Sequence, residues 1–172
     1  MVDARESENE YTQLVGKIEL LHDFKDATFD VIICHNVLEF AEERVELVAE
    51  FARLLKNDGI LSIVKNNKHG RIISKVVFEN DVKTAIDLLD GGSISNTFGK
   101  VVLYDPSDLT SWASSLSIKK VLALRALFGS KQNNSNSEWS NEMFNLEMKI
   151  CDLEPYKSFS LFNHVILKKS YE

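Results

Sequence analysis

The clearest run of hydrophobic and polar positions along the chain is Phe29-Asp30-Val31-Ile32-Ile33-Cys34-His35-Asn36-Val37-Leu38-Glu39-Phe40. Residues 31–34 are unbroken apolar, and all but the last are β-branched. A run that short, with no alternation, predicts a parallel strand buried on both faces. Over residues 42–56 the period changes. Val45, Val48, Ala49, Ala52 and Leu55 recur at three- and four-residue steps, which predicts an amphipathic helix. Glu42, Glu43 and Glu46 crowd its start while Arg53 and Lys56 close it, the charge order a helix dipole favours. Asn57-Asp58-Gly59 is a turn signal, and residues 60–64 form a second apolar run. Strand, helix, turn and strand make a βαβ unit.

The remainder follows the same reading. Residues 1–10 are charged and predict one helical turn or a frayed end. Leu14, Val15, Ile18 and Leu20 predict a short strand within 11–21, and 23–28 is a polar connection. Residues 66–70 form a polar loop. A helix is predicted over 71–89, interrupted near Glu79-Asn80-Asp81 and ended by Asp90-Gly91-Gly92. Residues 93–104 read as an irregular insertion over the sheet edge. Asp105 is placed to cap a helix whose first residue is Pro106, with Leu109, Trp112, Ala113 and Leu116 on its apolar face. A strand over 118–127, where Ala123, Leu124 and Ala126 also suit a helix, an Asn/Ser-rich loop over 131–139, a helix over 141–153 and a strand over 158–168 complete the list. That gives five strands, near Leu14, Ile32, Leu61, Val121 and Val165. The first three are expected parallel.

Composition narrows the class. The chain has 172 residues, is 44% hydrophobic and 27% charged, and predicts a single domain over 1–172. A net charge of −6 argues against a non-specific grip on nucleic acid. No apolar stretch is long enough to span a membrane and no secretory signal is present, so the expectation is a cytoplasmic protein with no membrane partner. Cys34 and Cys151 are far apart in apolar stretches and read as buried free thiols, and no zinc-type spacing supports a metal site.

In open α/β sheets, ligands sit beyond the carboxyl ends of parallel strands. His35 and Asn36 lie at one such end, and residues 65–69 at the next. Two readings stand for each: His35 and Asn36 face a ligand or cap the following helix, and 67–70 border a pocket or form a solvated turn. The segments "FDVIICHNVLEF" and "LLKNDGILSIV" resemble the second half of Rossmann-like S-adenosylmethionine-dependent methyltransferases. Asn67, His69-Gly70, Glu154-Pro155-Tyr156 and His164-Val165 are similar to the bacterial tRNA methyltransferases that act on 5-carboxymethoxyuridine. The resemblance covers the chain from about Tyr11 onward. It implies an α/β fold with a mostly parallel sheet and an antiparallel C-terminal edge. It implies S-adenosylmethionine as cofactor, with His35, Asn36 and Glu39 at its methionine side. It also implies Asn67, His69 and Tyr156 at the acceptor, and a tRNA partner. Where those enzymes carry an arginine–aromatic pair before the final histidine, this chain has Leu161-Phe162. Tyr156 and His164 are also readable as packing for the last strand.

The cofactor half of such a fold opens with a strand and a glycine-rich turn. No G-x-G-x-x-G occurs here, and the one adjacent pair, Gly91-Gly92, follows a helix. The chain is therefore expected to lack the first strands, to bind S-adenosylmethionine weakly or not at all alone, and to expose a sheet edge open to homodimerisation. The leading function is methyl transfer. The rival is a non-catalytic remnant serving as a binding or assembly module.

Overall fold

The protein is described by a computed structural model for residues 11–97, 99–127 and 137–170. The expectations for 1–10 and for most of the 131–139 loop lie outside those residues. Strand β1, Phe29–His35, leads through helix α1, Arg44–Leu54, into strand β2, Leu55–Asn66. The two strands pair in parallel, with Ile33 beside Ser62 and His35 beside Val64. The βαβ unit thus forms where the period changes predict it. Helices α2, Lys68–Val77, and α3, Val82–Leu89, follow, divided at the Glu79–Asp81 break. A small hairpin, β3, Ile94–Asn96, and β4, Gly99–Val101, occupies the stretch read as an irregular insertion. Helix α4, Pro106–Trp112, begins as expected: Asp105 and Asp108 form a reciprocal capping box with Pro106 in the first turn. Strand β5, Leu116–Leu124, helix α5, Ser137–Ile150, helix α6, Tyr156–Phe159, and strand β6, Phe162–Lys169, complete the order.

The main sheet runs β1-β2-β6-β5. Strand β6 is antiparallel to both β2 and β5, so β5 points the same way as β1 and β2. The α/β class and the mostly parallel sheet stand. The C-terminal pair forms the antiparallel edge as expected, with the reversed strand β6 on its inner side: Val165 and Leu167 are fully buried and the β6 backbone is paired on both sides. The edge is β5.

Three expectations are corrected. Residues 11–21 hold no strand. Residues 11–17 are irregular, and Ile18–Asp23 is a 3₁₀ helix. Its backbone is claimed by a side chain instead of a ladder, since Arg53 donates to the carbonyls of Leu21 and Phe24 at 2.9 Å each. Strand β1 is not buried on both faces either. Ile32 and Cys34 face a core shared with Val48 and Ala52 of α1 and Leu109 of α4, while Val31 is 52% and Ile33 67% exposed. Both α1 and α4 lie against the first face, and nothing among the described residues covers Val31 and Ile33. Cys34 is buried as expected, but Cys151 is only partly so, its thiol donating to the Met148 carbonyl.

Candidate functional site at the strand ends

Strand β1 ends at His35, and the chain turns at Asn36 with φ of 54°. Asparagine tolerates this left-handed conformation better than most residues. The Asn36 N–H donates to the Val64 carbonyl at 2.8 Å, tying the turn to β2. His35 and Asn36 are both exposed. They do not cap α1, which begins at Arg44 after Glu43.

Below this turn lies a buried polar network. Glu39 is 0% exposed, and its Oε1 accepts from the Asn66 N–H at 2.6 Å and from the Asn66 side chain at 3.0 Å. Asn66 Oδ1 accepts from Arg71 Nε at 2.6 Å, and the Arg71 guanidinium lies over the Phe162 ring. Lys65 is 1% exposed, donates to the Asn66 carbonyl, and sits over the Tyr104 ring. Burial pulls its ammonium down to about 8, against a smaller upward pull from Glu39. Burial and then the Glu39 charge push the Cys34 thiol up to about 11 and raise the Tyr104 phenol as well. The network links the ends of β1 and β2 to α2, and it fixes those ends because its members cannot leave for water. Glu39, read as a cofactor contact, offers no exposed atom in this arrangement.

The three acceptor-side residues are placed differently from one another. Asn67 is buried, caps α2 by accepting from the His69 N–H, and donates through its amide to the carbonyls of Lys157, Ser158 and Ser160. Gly70 completes this seam. A side chain there would collide with the backbone carbonyl of Ser160, so α2 approaches the 159–160 segment closely only because residue 70 lacks one. Asn67 and His69 line an open cleft of about 690 Å³, shared with Lys119, Lys157 and Asp152. Asp152 there pairs with Lys120 at 2.8 Å and Lys157 at 2.9 Å. Tyr156 stands at the start of α6 with its ring 5.6 Å from Phe159, and it is not among the residues lining the cleft. His35 and Asn36 do not line it either.

On the uncovered face the structure assembles a row that no sequence spacing reveals. The Ser62 hydroxyl lies 2.9 Å from His35 Nε2 and 2.8 Å from His164 Nε2. The two rings meet edge to face at 5.6 Å. Burial, and then the neighbouring His35, hold the His164 imidazole below its usual range. Lys65 and Asn66 fall within the 65–69 strand end read from the sequence, whereas Ser62 and Arg71 were not singled out. The one available signal was polar residues interrupting β2, an apolar strand otherwise. Among the described residues no group of three or more His, Cys, Asp or Glu could hold a metal, and no helix is long and apolar enough to cross a membrane.

Residues 1–63 match the family model described as a methyltransferase domain. An uncharacterized protein of Methanocaldococcus jannaschii is 43% identical over 60 residues, which is 35% of this chain and 25% of that protein. A methyltransferase from Methanosarcina mazei described as S-adenosylmethionine-dependent superposes with a TM-score of 0.49 at 13% identity, over 87% of this chain and 63% of that one. A second one, from Archaeoglobus fulgidus, gives 0.49 at 16% identity, over 88% and 64%. The Haloferax volcanii complex of the Trm112 methyltransferase activator with a methyltransferase gives 0.48 at 12%, over 87% and 57%. The match thus spans only a quarter of the curated relative's length and less than two thirds of these solved chains. The matched segment contains α1, β1 and the His35–Asn36 turn.

Proposed function

We propose that this chain serves S-adenosylmethionine-dependent methyl transfer, with β1 and its Asn36 turn forming one wall of the cofactor site. The carrying observation is the methyltransferase-domain match over residues 1–63, which includes that turn. The exposed polar groups of His35 and Asn36 suit a wall against a polar nucleoside cofactor, and the open side of β1 leaves room beside them. Glu39 then acts from behind, holding Asn66 and the strand ends in place. Residues 1–28 hold no glycine-rich G-x-G-x-x-G turn, so these 172 residues supply part of a cradle, and weak binding of the cofactor by them alone is expected.

The acceptor side is the cleft beside Asn67 and His69, with Tyr156 nearby in sequence to its Lys157 wall. Such catalysis is largely positioning of an acceptor against the methyl group. A carboxylate acceptor, as in a wobble-uridine carboxymethoxy group on tRNA, needs no base. The test is transfer of labelled methyl groups from S-adenosylmethionine to total tRNA by the whole protein. Incorporation that falls on His35→Ala or Asn36→Ala and disappears on tRNA lacking 5-carboxymethoxyuridine supports the reading. Cofactor binding that is indifferent to both substitutions removes it.

A second reading has its own observation. Strand β1 ends the sheet, and its Val31 and Ile33 are exposed beside an edge without a neighbour among the described residues. Such an edge favours pairing with a second copy in an assembly role. A dimer in solution that dissociates on Ile33→Lys supports it, and a monomer at high concentration rejects it.

A further inference from the structure

We propose that helix α3 is a self-association surface, on which a second copy of this chain packs its own α3 antiparallel about a two-fold axis near Ile86. Val82, Ile86 and Leu89 recur at steps of four and three residues, which sets them in one stripe along the helix. They are 52%, 54% and 65% exposed, while Ala85 and Leu88 on the neighbouring face are buried. The turn leading into the helix adds Val77 and Phe78, both exposed. One face of α3 therefore anchors the helix, and the next holds apolar side chains that nothing among the described residues covers. Single exposed apolar residues are ordinary on a protein surface, but a stripe of them marks a contact.

The charges beside the stripe select its occupant. A helix favours acidic residues in its first turn and basic residues in its last. Helix α1 follows that order with Glu46 and Arg53, and α5 with Glu138 and Lys149. Helix α3 reverses it, with Lys83 in its first turn, Asp87 in its last and Asp90 at its C-terminal boundary. Asp81 caps the first turn and Lys68 donates to the Leu89 carbonyl, which tempers the reversal without removing it. Lys75 and Glu79 pair just ahead of the helix, but no salt bridge within the described residues takes up Lys83 or Asp90. These two lie seven residues apart, on one flank of the stripe. An antiparallel copy turns this order into a match. Val82 then faces the second copy's Leu89, and Ile86 meets its own counterpart. Each Lys83 stands against an Asp90 and the electronegative end of the opposite helix. The two-fold axis makes every such contact twice, as an isologous dimer requires. A lipid surface fits less well, since it would meet both signs of charge on a chain of net charge −6. The surface is different from the β1 edge and does not depend on methyl transfer.

The test is sedimentation equilibrium of the 172-residue chain over a wide range of concentration. The expected result is a monomer–dimer equilibrium. Ile86→Lys brings two ammonium groups to the axis and should weaken the dimer by more than about tenfold, while Ile33→Lys should not. Lys83→Glu and Asp90→Lys should each weaken it, and the chain carrying both should regain it, because the charges are only exchanged. All four positions are exposed, so the substitutions spare the core. The doubly reversed chain keeps the proposal falsifiable even if one variant fails to fold. A chain that stays monomeric, including one that floats with phosphatidylserine vesicles instead, overturns the proposal. So does a dimer that Ile86→Lys leaves intact, which then belongs to another surface, or one whose charge reversals do not compensate.

Discussion

The two faces of the main sheet use similar residues to opposite effect. On one face Ile32, Cys34, Leu61, Ile63, Val165 and Leu167 meet α1 and α4 and make the core. On the other, Val31, Ile33 and Ile60 are just as apolar and stay 52%, 67% and 41% exposed, beside the hydroxyl and imidazoles of Ser62, His35 and His164. The difference teaches that an apolar run records what a strand can bury, while the packing elements decide what it does bury. The covered face carries stability. The open face leaves apolar side chains exposed beside the His35 imidazole.

The contrast is sharpest in paired truncations. Leu61→Ala, at a fully buried core position, should cost ~2–5 kcal/mol. Ile33→Ala on the open face should stay within about 0.5 kcal/mol. Urea unfolding of the two variants measures both, and equal losses would mean that the open face is covered in solution. Next in size is Gly70→Ala, which drives a methyl group into the Ser160 carbonyl. It should cost ~1–3 kcal/mol, read in the same assay. Glu39→Ala comes close behind. It strips the buried Asn66 N–H of its acceptor, a loss of ~1–3 kcal/mol. On the proposed function it should also lower methyl transfer, and it should leave the His35–Ser62–His164 row intact.

The smallest expected effect is a pH dependence. The folded protein holds the His164 imidazole below its unfolded value. The unfolded chain therefore takes up its proton first as pH falls. The stability that His164 contributes is complete above about 6.5 and is lost as pH drops toward its folded value. His164→Asn should flatten that part of the profile. Unfolding midpoints at pH 7.5 and 5.5, compared between the two proteins, check it. An unchanged slope would mean that burial does not disfavour the charged ring.

Much of the fold was legible. Strand β1, helix α1 and strand β2 follow from the change of period at 42–56. The Asp105–Pro106 start of α4 follows from capping chemistry, and the break between α2 and α3 from Glu79-Asn80-Asp81. Less legible were features decided across the sheet. Nothing local tells residues 11–21 that Arg53 will take the Leu21 carbonyl. Nothing in Phe162–Lys169 announces that it will lie between β2 and β5. The candidate site divides the same way. His35, Asn36, Asn67 and His69 were named as candidates because polar residues at strand ends are a local signal. The Glu39–Asn66–Arg71 chain and the histidine row join residues distant in sequence, and only tertiary structure brings them together.

The interior place of β6 has a consequence for how the protein is made. Strand β5 has no partner until residues 162–169 emerge, because β6 alone stands between it and β2. While it is on the ribosome, the nascent chain therefore holds a finished two-strand unit and a stranded third segment. Both must wait for a single late insertion that zips them together. A nonsense codon or protease cut just ahead of Phe162 would thus unseat β5 along with β6, leaving the main sheet only its β1–β2 pair.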